Sequence, residues 1–453
     1  EDPNAAAPPV DLANWWTAFE DPALDGLIAL AIEGNLDLQA AEARIREARA
    51  LVGFARGGLL PEVDANAGFT RTLRSLNAIG ATGTGGGAVF SPDRRFNAYQ
   101  AGFDASWEID VFGGQRRAVE AAEADLESTI ENQRFVLVSL LGEIGRDYVE
   151  VRRLQRQLDI TRNNAKLQRD TADLTRKRVT AGLNSELDAK RSEAQASFTE
   201  AQIPALDRDL AFAVHRLGVL VGQGPGALRQ QLAESRPIPQ AKAALHVGIP
   251  SELLRRRPDI RRAERDLAAA TARIGAATAD LYPKFELVGT VGLASLQSKN
   301  FFNGDSLFAS ISPQLSWPVF AGGRIKANIE AVSAREEQAF IRYEQTVLGS
   351  LEEVENAIVA YAREQTRRTS LADAASAQRR AVELVRDRFR QGLVDFLDVL
   401  DAERALNVAE NDLVQSHALV TESLIALYKA LGGGWDVDAI EAETRPASRP
   451  VEP

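Results

Sequence analysis

Two carboxylates three residues apart are the side chains in this sequence best placed to act on something that passes by. Asp398 and Asp401 lie in the run Phe396-Leu-Asp398-Val-Leu-Asp401-Ala-Glu403. On a helix, i and i+3 share a face. Copied around a symmetry axis, each would become a ring of carboxylates, the charged-ring device of cation-selective constrictions. Asp398 also has a plainer reading as an acid in the first turn of a helix, where it favours the N-terminus electrostatically. Asp401 lies a turn further in, so that reading is weaker for it. The corresponding acid of an earlier, similar stretch is Asp188, but Arg191 stands there in place of Asp401.

Other chemistry is sparse. The chain has no Cys, so disulfides, thiolate nucleophiles and thiolate metal sites are excluded. His215, His246 and His417 are its only histidines, and none has a ligand-spaced partner. Gly83-Thr-Gly85-Gly-Gly-Ala88 fits G-x-G-x-x-A, but Ser91-Pro92-Asp93 follows it instead of a helix, so a loop is expected there. No catalytic residue, metal site or cofactor is expected, and the chain does not read as an enzyme. Its 453 residues carry 53 basic and 64 acidic side chains, a net charge of −11 that disfavours nucleic acid as a partner. There is no Met, even at position 1, so a processed or trimmed form is expected. No apolar run is long enough for a transmembrane helix, but barrel strands leave a weaker trace.

Asp398 follows one of two matching stretches. Arg178-Val-Thr-Ala-Gly182-Leu183-Asn-Ser185-Glu-Leu187-Asp188 pairs with Arg388-Phe-Arg-Gln-Gly392-Leu393-Val-Asp395-Phe-Leu397-Asp398. Gly182 and Gly392 stand where a left-handed residue ends a helix. Ser185 and Asp395 are N-cap types with an acid three residues on, close to a capping box. Each stretch therefore predicts a tight hairpin between two helices. Leu183 and Leu393 would be either apolar knobs for a partner or braces of their own turns.

Residues 1–21 predict an extended arm anchored by Trp15 and Trp16, and 22–58 a helix. Residues 59–112 predict two strands of period-two alternation around a loop over 73–95. In the second strand Tyr99, Ala101, Phe103, Ala105 and Trp107 face one way and Gln100, Asp104, Ser106 and Glu108 the other. Residues 115–222 predict a long helix, the tip 178–188 and a return helix. Leu137, Leu141, Ile144, Tyr148, Val151, Leu154 and Leu158 form a heptad-like seam along it. Roughly 65 helical residues would span roughly 100 Å, more than a globular core accommodates. A Gly- and Pro-rich connector follows over 223–249.

The order then recurs: a helix over 250–280, two strands over 281–320 with a loop at about 296–306, helices and tip 388–398 over 324–432, and a tail over 433–453. Leu60-Pro61 matches Tyr282-Pro283 at an offset of 222, while Trp107/Trp317, Gly182/Gly392 and Gly222/Gly432 match at 210. The change of 12 falls in the first strand loop, where length change is tolerated. Four amphipathic strands cannot close a transmembrane barrel, and an open sheet in lipid leaves backbone groups unpaired. The strands are therefore either shared between copies, with apolar side chains toward lipid, or part of a soluble scaffold of coiled coil and small sheet.

The element order, the repeat, the Gly-Leu hairpins and the Phe396–Glu403 run resemble the outer-membrane efflux factor family (TolC- and OprM-like channels). Leu427-Tyr-Lys-Ala-Leu-Gly432-Gly-Gly-Trp435 is similar to the branch serving resistance-nodulation-division pumps. The resemblance implies an α+β membrane protein: a homotrimer with a transmembrane β-barrel of four strands per protomer over a long α-helical coiled-coil tunnel. It implies an outer-membrane exit duct in a Gram-negative bacterium, mostly periplasmic, belted by 1–21, 223–249 and the tail. The implied partners are outer-membrane lipid, a periplasmic adaptor protein and an inner-membrane resistance-nodulation-division pump. By the same resemblance Asp398 and Asp401 line the pore aperture, and Gly182, Leu183, Ser185, Gly392 and Leu393 dock the adaptor. Many members of this branch are lipoproteins acylated on an N-terminal Cys, which this sequence does not contain.

Overall fold

The computed structural model describes residues 11–73, 94–241 and 256–436. Most of the expected loop 73–95, including the Gly83–Ala88 run, lies outside them. So do His246, residues 242–255 and the tail beyond 436. The described chain forms two compact units. One is drawn from Glu1–Glu42, Glu131–Arg261 and Gln345–Pro453, the other from Ala43–Ile130 and Arg262–Glu344.

The second unit carries an antiparallel meander in the order β1 (Glu62–Leu73), β2 (Arg95–Ile109), β3 (Lys284–Ser295), β4 (Leu307–Ser316). Its register aligns the sequence's alternation row by row. Ala65, Phe103, Val291 and Ala309 stand abreast, as do Val63, Ala105, Gly289 and Ile311. One row over, Asp64, Asp104, Thr290 and Ser310 do the same. Successive side chains alternate faces, so one face is continuously apolar and the other largely polar. The apolar face is bare: Phe103 is 57% exposed and Ile311 73%. Within the described chain, β1 and β4 each have only one strand neighbour. Trp107 and Trp317 donate their indole N–H to the carbonyls of Leu59 and Leu281, 3.0 and 3.1 Å away, and so tie the last strand turns to helix ends.

The first unit is helical. Its helices, or the parts of them it contains, are α1 (Pro22–Gly34), α2 (Leu36–Gly57), α3 (Gly114–Thr180), α4 (Glu186–Leu220), α5 (Pro258–Ala279), α6 (Arg324–Arg390) and α7 (Phe396–Ala430). The expected single helix over 22–58 is two. Asn35 divides them: its Oδ1 accepts from the Leu38 N–H at 3.0 Å and its amide donates to the Leu220 carbonyl at 2.8 Å. Nor is the arm extended throughout, since Trp15–Phe19 forms a short 3-10 helix. Burial drives this: Trp15 is 1% exposed and stacks on Tyr428 at 5.4 Å. Around that pair lie Leu24, Leu27, Leu141, Ile144, Tyr148 and Leu217.

The described part of the connector is bound to these helices. Arg152 donates to the Glu234 carbonyl at 2.8 Å and Gln155 to that of Leu232 at 2.6 Å. Thr421 donates its hydroxyl to the Pro239 carbonyl, also at 2.8 Å. No described helix is long and apolar enough to cross a membrane.

Candidate aperture and docking tips

Both tips are built by the same backbone device. At the first, the Gly182 N–H reaches the Val179 carbonyl at 2.9 Å and the Leu183 N–H that of Arg178 at 2.8 Å. At the second, Gly392 bonds Phe389 at 3.0 Å and Leu393 bonds Arg388 at 2.9 Å. This is the paired closure of a Schellman motif, with the left-handed glycine at φ 74° and 76°. The return helices then start at once. Ser185 Oγ accepts from the Asp188 N–H and Asp188 Oδ2 from the Ser185 N–H, both at 3.2 Å, a full capping box. Burial alone would raise the Asp188 pKa. The Ser185 hydrogen bonds, helped by Asn184 and Arg191, outweigh it and hold the carboxyl below its ordinary value. At the second tip Asp398 Oδ2 accepts from the Asp395 N–H at 3.2 Å.

The tips differ in their packing. Phe389, Phe396, Val399 and Leu400 form a small buried cluster beneath the second, with Val394 against it. Val394 and Val399 flank the cap in the positions of a hydrophobic staple. The first tip has Asn184 and Ala189 at those positions. Asn184 instead accepts from Arg178 Nε at 2.7 Å. Arg178 also donates Nη1 to the Phe389 carbonyl at 3.1 Å and lies over the Phe389 ring at 4.9 Å. One guanidinium therefore spans both hairpins.

Leu183 and Leu393 are 67% and 69% exposed, so neither braces its own turn. Asp398 and Asp401 are both exposed, on the side of α7 away from buried Val399 and Leu400. Their states differ. Asp398 is engaged in the cap, whereas Asp401 has no hydrogen bond or ion pair among the described residues.

Two residues on, Glu403 turns the other way, is 7% exposed, and accepts from Arg386 Nη2 at 2.8 Å. Burial raises its pKa despite the pull of Arg386. Arg176 and Glu193 form the corresponding, more exposed pair in the first hairpin. Arg169–Glu200 and Arg379–Glu410 form a second matched rung. The sequence reading missed these cross-hairpin contacts, although an offset of 210 applied to the charged residues would have flagged both rungs. No group of three or more potential metal ligands occurs among the described residues.

The family described as outer membrane efflux protein matches residues 27–223 and 249–433. Nodulation protein T of Rhizobium leguminosarum bv. trifolii is 31% identical over 432 residues, covering 94% of this chain and 89% of that protein. The toluene efflux pump outer membrane protein TtgI of Pseudomonas putida is 31% identical over 424 residues, 92% of this chain and 87% of its own. Among solved structures, the outer-membrane channel OprN superposes with a TM-score of 0.87 at 34% identity, covering 96% of this chain and 98% of that one. The open state of the Neisseria gonorrhoeae MtrE outer membrane channel superposes at 0.82 with 29% identity, covering 92% of this chain and 90% of that one. With matches across both halves of the chain and relatives of this coverage, the chain belongs to the outer membrane efflux protein family.

Proposed function

We propose that three copies of the chain assemble into the outer-membrane exit duct of a tripartite efflux pump. Each copy contributes four strands to one closed barrel and its long helices to a tunnel below. Small molecules delivered by an inner-membrane pump and a periplasmic adaptor pass through it passively. The apolar sheet face carries this reading: it is continuous across four strands, bare, and bounded by two edges without strand partners among the described residues. Joining β4 of one copy to β1 of the next removes both edges and turns the apolar face to lipid. A soluble scaffold would leave Phe103 and Ile311 in water with nothing gained.

At the tips, exposed Leu183 and Leu393 suit an adaptor hairpin. They are held by Gly182 and Gly392, with Ser185 fixing the helix start beside the first. Asp398 and Asp401, repeated three times, would ring the aperture with carboxylates and attract cations. Detergent extraction, mass by light scattering and single-channel conductance in a planar bilayer test the reading together. A cation-preferring trimer is expected; a monomer that is stable and monodisperse without detergent would overturn it.

A further inference from the structure

The apolar face of the sheet stops short at its loop end. Paired residues share parity through all three strand pairings, so the odd-numbered residues of every strand make up that face. From Ile109, Phe285 and Leu315 up to Phe69 and Tyr99, none of them is charged. The strand carboxylates Glu62, Asp64, Asp104, Glu108 and Glu286 are all even-numbered and lie on the other face. The next two rows break the pattern. Arg71 stands opposite Asn97, and Arg95 opposite Leu73. These arginines are the only charged side chains on the apolar face of the four strands. They are diagonal neighbours, roughly 7–8 Å apart.

The boundary falls where a bilayer would set it. From Tyr99 to Ile109 the strand rises about 34 Å, or about 25 Å of height at the usual barrel tilt, which matches the lipid-facing band of a transmembrane barrel. Aromatic rings mark both limits. Phe69 and Tyr99 pack at 5.0 Å at the loop end, and Phe112 stacks on Tyr282 at 4.7 Å at the helix end. Arg71 and Arg95 therefore fall just beyond the band, at headgroup level. A lipid-facing arginine is costly in mid-band and nearly free at that edge.

Both arginines are exposed, and neither has a hydrogen bond or ion pair among the described residues. The turn between β3 and β4 adds Lys299 and Asp305, whose charges cancel. Two unpaired guanidinium groups side by side repel each other. An oxyanion shared by both forks removes the repulsion and matches their geometry, phosphate above all. Below them on the same face, a groove lined by Ala101, Phe103, Val291, Leu293 and Leu307 offers apolar surface to an acyl chain.

We infer that Arg71 and Arg95 hold the phosphate of an anionic lipid in the outer leaflet, with its acyl chains along the apolar rows below. The inference rests on the sheet facing lipid, as proposed above, and adds the headgroup chemistry that this surface selects. The chain's net charge of −11 repels anions overall, so the attraction is local to this end of the sheet.

The test mixes the detergent-extracted full chain with diphosphoryl lipid A, or with the same lipid stripped of its phosphates. Native mass spectrometry counts the lipid that each sample carries. Wild type should carry the phosphorylated lipid in preference. Arg71→Ala with Arg95→Ala should weaken its apparent affinity about 25-fold, about fivefold for each arginine, and leave the stripped lipid unaffected. Arg71→Lys with Arg95→Lys keeps the charge without the fork and should fall between the two. Arg46→Ala with Arg49→Ala removes two exposed arginines of α2 and should behave as wild type. Mass by light scattering should be the same in all of them, since Arg71 and Arg95 have no partner to lose among the described residues. Equal retention of both lipids by wild type, unchanged affinity in the first variant, or an equal loss in the α2 variant overturns the inference. So does displacement of the lipid by millimolar inorganic phosphate, which would assign the pair to a free anion. A wild-type protein that is stable and monodisperse without detergent overturns instead the lipid-facing sheet on which the inference rests.

Discussion

Arg178 donates to the Phe389 carbonyl at 3.1 Å, across 211 positions of sequence, and fastens one hairpin tip to the other. A charge-assisted hydrogen bond of this kind, with a ring beneath the guanidinium, contributes more than a neutral one. If opening the aperture requires the tips to part, Arg178→Ala should favour the open form. Single-channel recordings should show higher conductance or more open time than wild type. Arg178→Lys keeps the charge but loses the fork shared between Asn184 and Phe389, so it should fall on the mutant side. Wild-type conductance in Arg178→Ala would show that the tips are held by other contacts.

The two aspartates should separate experimentally. Asp398→Ala removes a cap partner and should cost about 0.5–2 kcal/mol of local stability along with any effect on ions. Asp401 has no partner to lose among the described residues, so Asp401→Ala should leave the melting temperature unchanged. It should still lower cation preference and block by trivalent cations. The double variant should show the larger ionic effect. Reversal potentials in asymmetric salt measure it, and an unchanged reversal potential in the double variant would reduce both residues to helix-start acids.

Gly182 and Gly392 hold φ near +75°, which a β-branched residue adopts at a cost of order 1–3 kcal/mol. Gly182→Val and Gly392→Val should disorder the tips, with faster proteolysis there and weaker adaptor binding. Leu183→Asp and Leu393→Asp alter only exposed side chains. They should leave extraction, assembly and melting intact while reducing adaptor cross-linking and drug resistance in cells. Full resistance and cross-linking in both Leu variants would remove the tips from the docking surface.

Glu403 should make part of the stability depend on pH. Its folded pKa lies above the ordinary 4.5, so folding takes up a proton there. That contribution is complete below the unfolded value and is lost as pH rises through the raised folded value. Melting temperatures of wild type and Glu403→Gln should therefore differ by an amount that shifts in favour of wild type as the sample is acidified from neutral pH. The shift should level off below about pH 4.5. Parallel melting curves across that range would show that Glu403 does not titrate in the folded protein.

The elements carrying these residues were legible wherever a local rule decides them. Gly182 and Gly392 announce a left-handed helix end, and Ser185 and Asp395 announce the next start. The alternation from Tyr99 to Trp107 gives a strand with two faces, and the register makes those faces continuous over four strands. What stayed hidden depends on distant partners. Asn35 is an ordinary residue in a helical run until its amide finds the Leu220 carbonyl, 185 positions away. Trp15 reads as an anchor on an arm, and only the opposing Tyr428 makes it core and coils the arm around it. The cap at the second tip is local and was legible: the Asp395–Asp398 spacing sets Asp398 apart from Asp401, a turn further in, and Asp398 Oδ2 accepts from the Asp395 N–H.

The long helices α3 and α6 are each 67 residues, and their return helices α4 and α7 are each 35. Deleting one residue from either long helix would turn its tip by about 100° and draw it back by about 1.5 Å. Arg178 could then no longer meet the Phe389 carbonyl, and the rungs Arg176–Glu193 and Arg386–Glu403 would fall out of step with each other. The two halves are in effect a matched pair of rulers. Their side chains are free to diverge, as Asp401 and Arg191 have, but their lengths can drift only together.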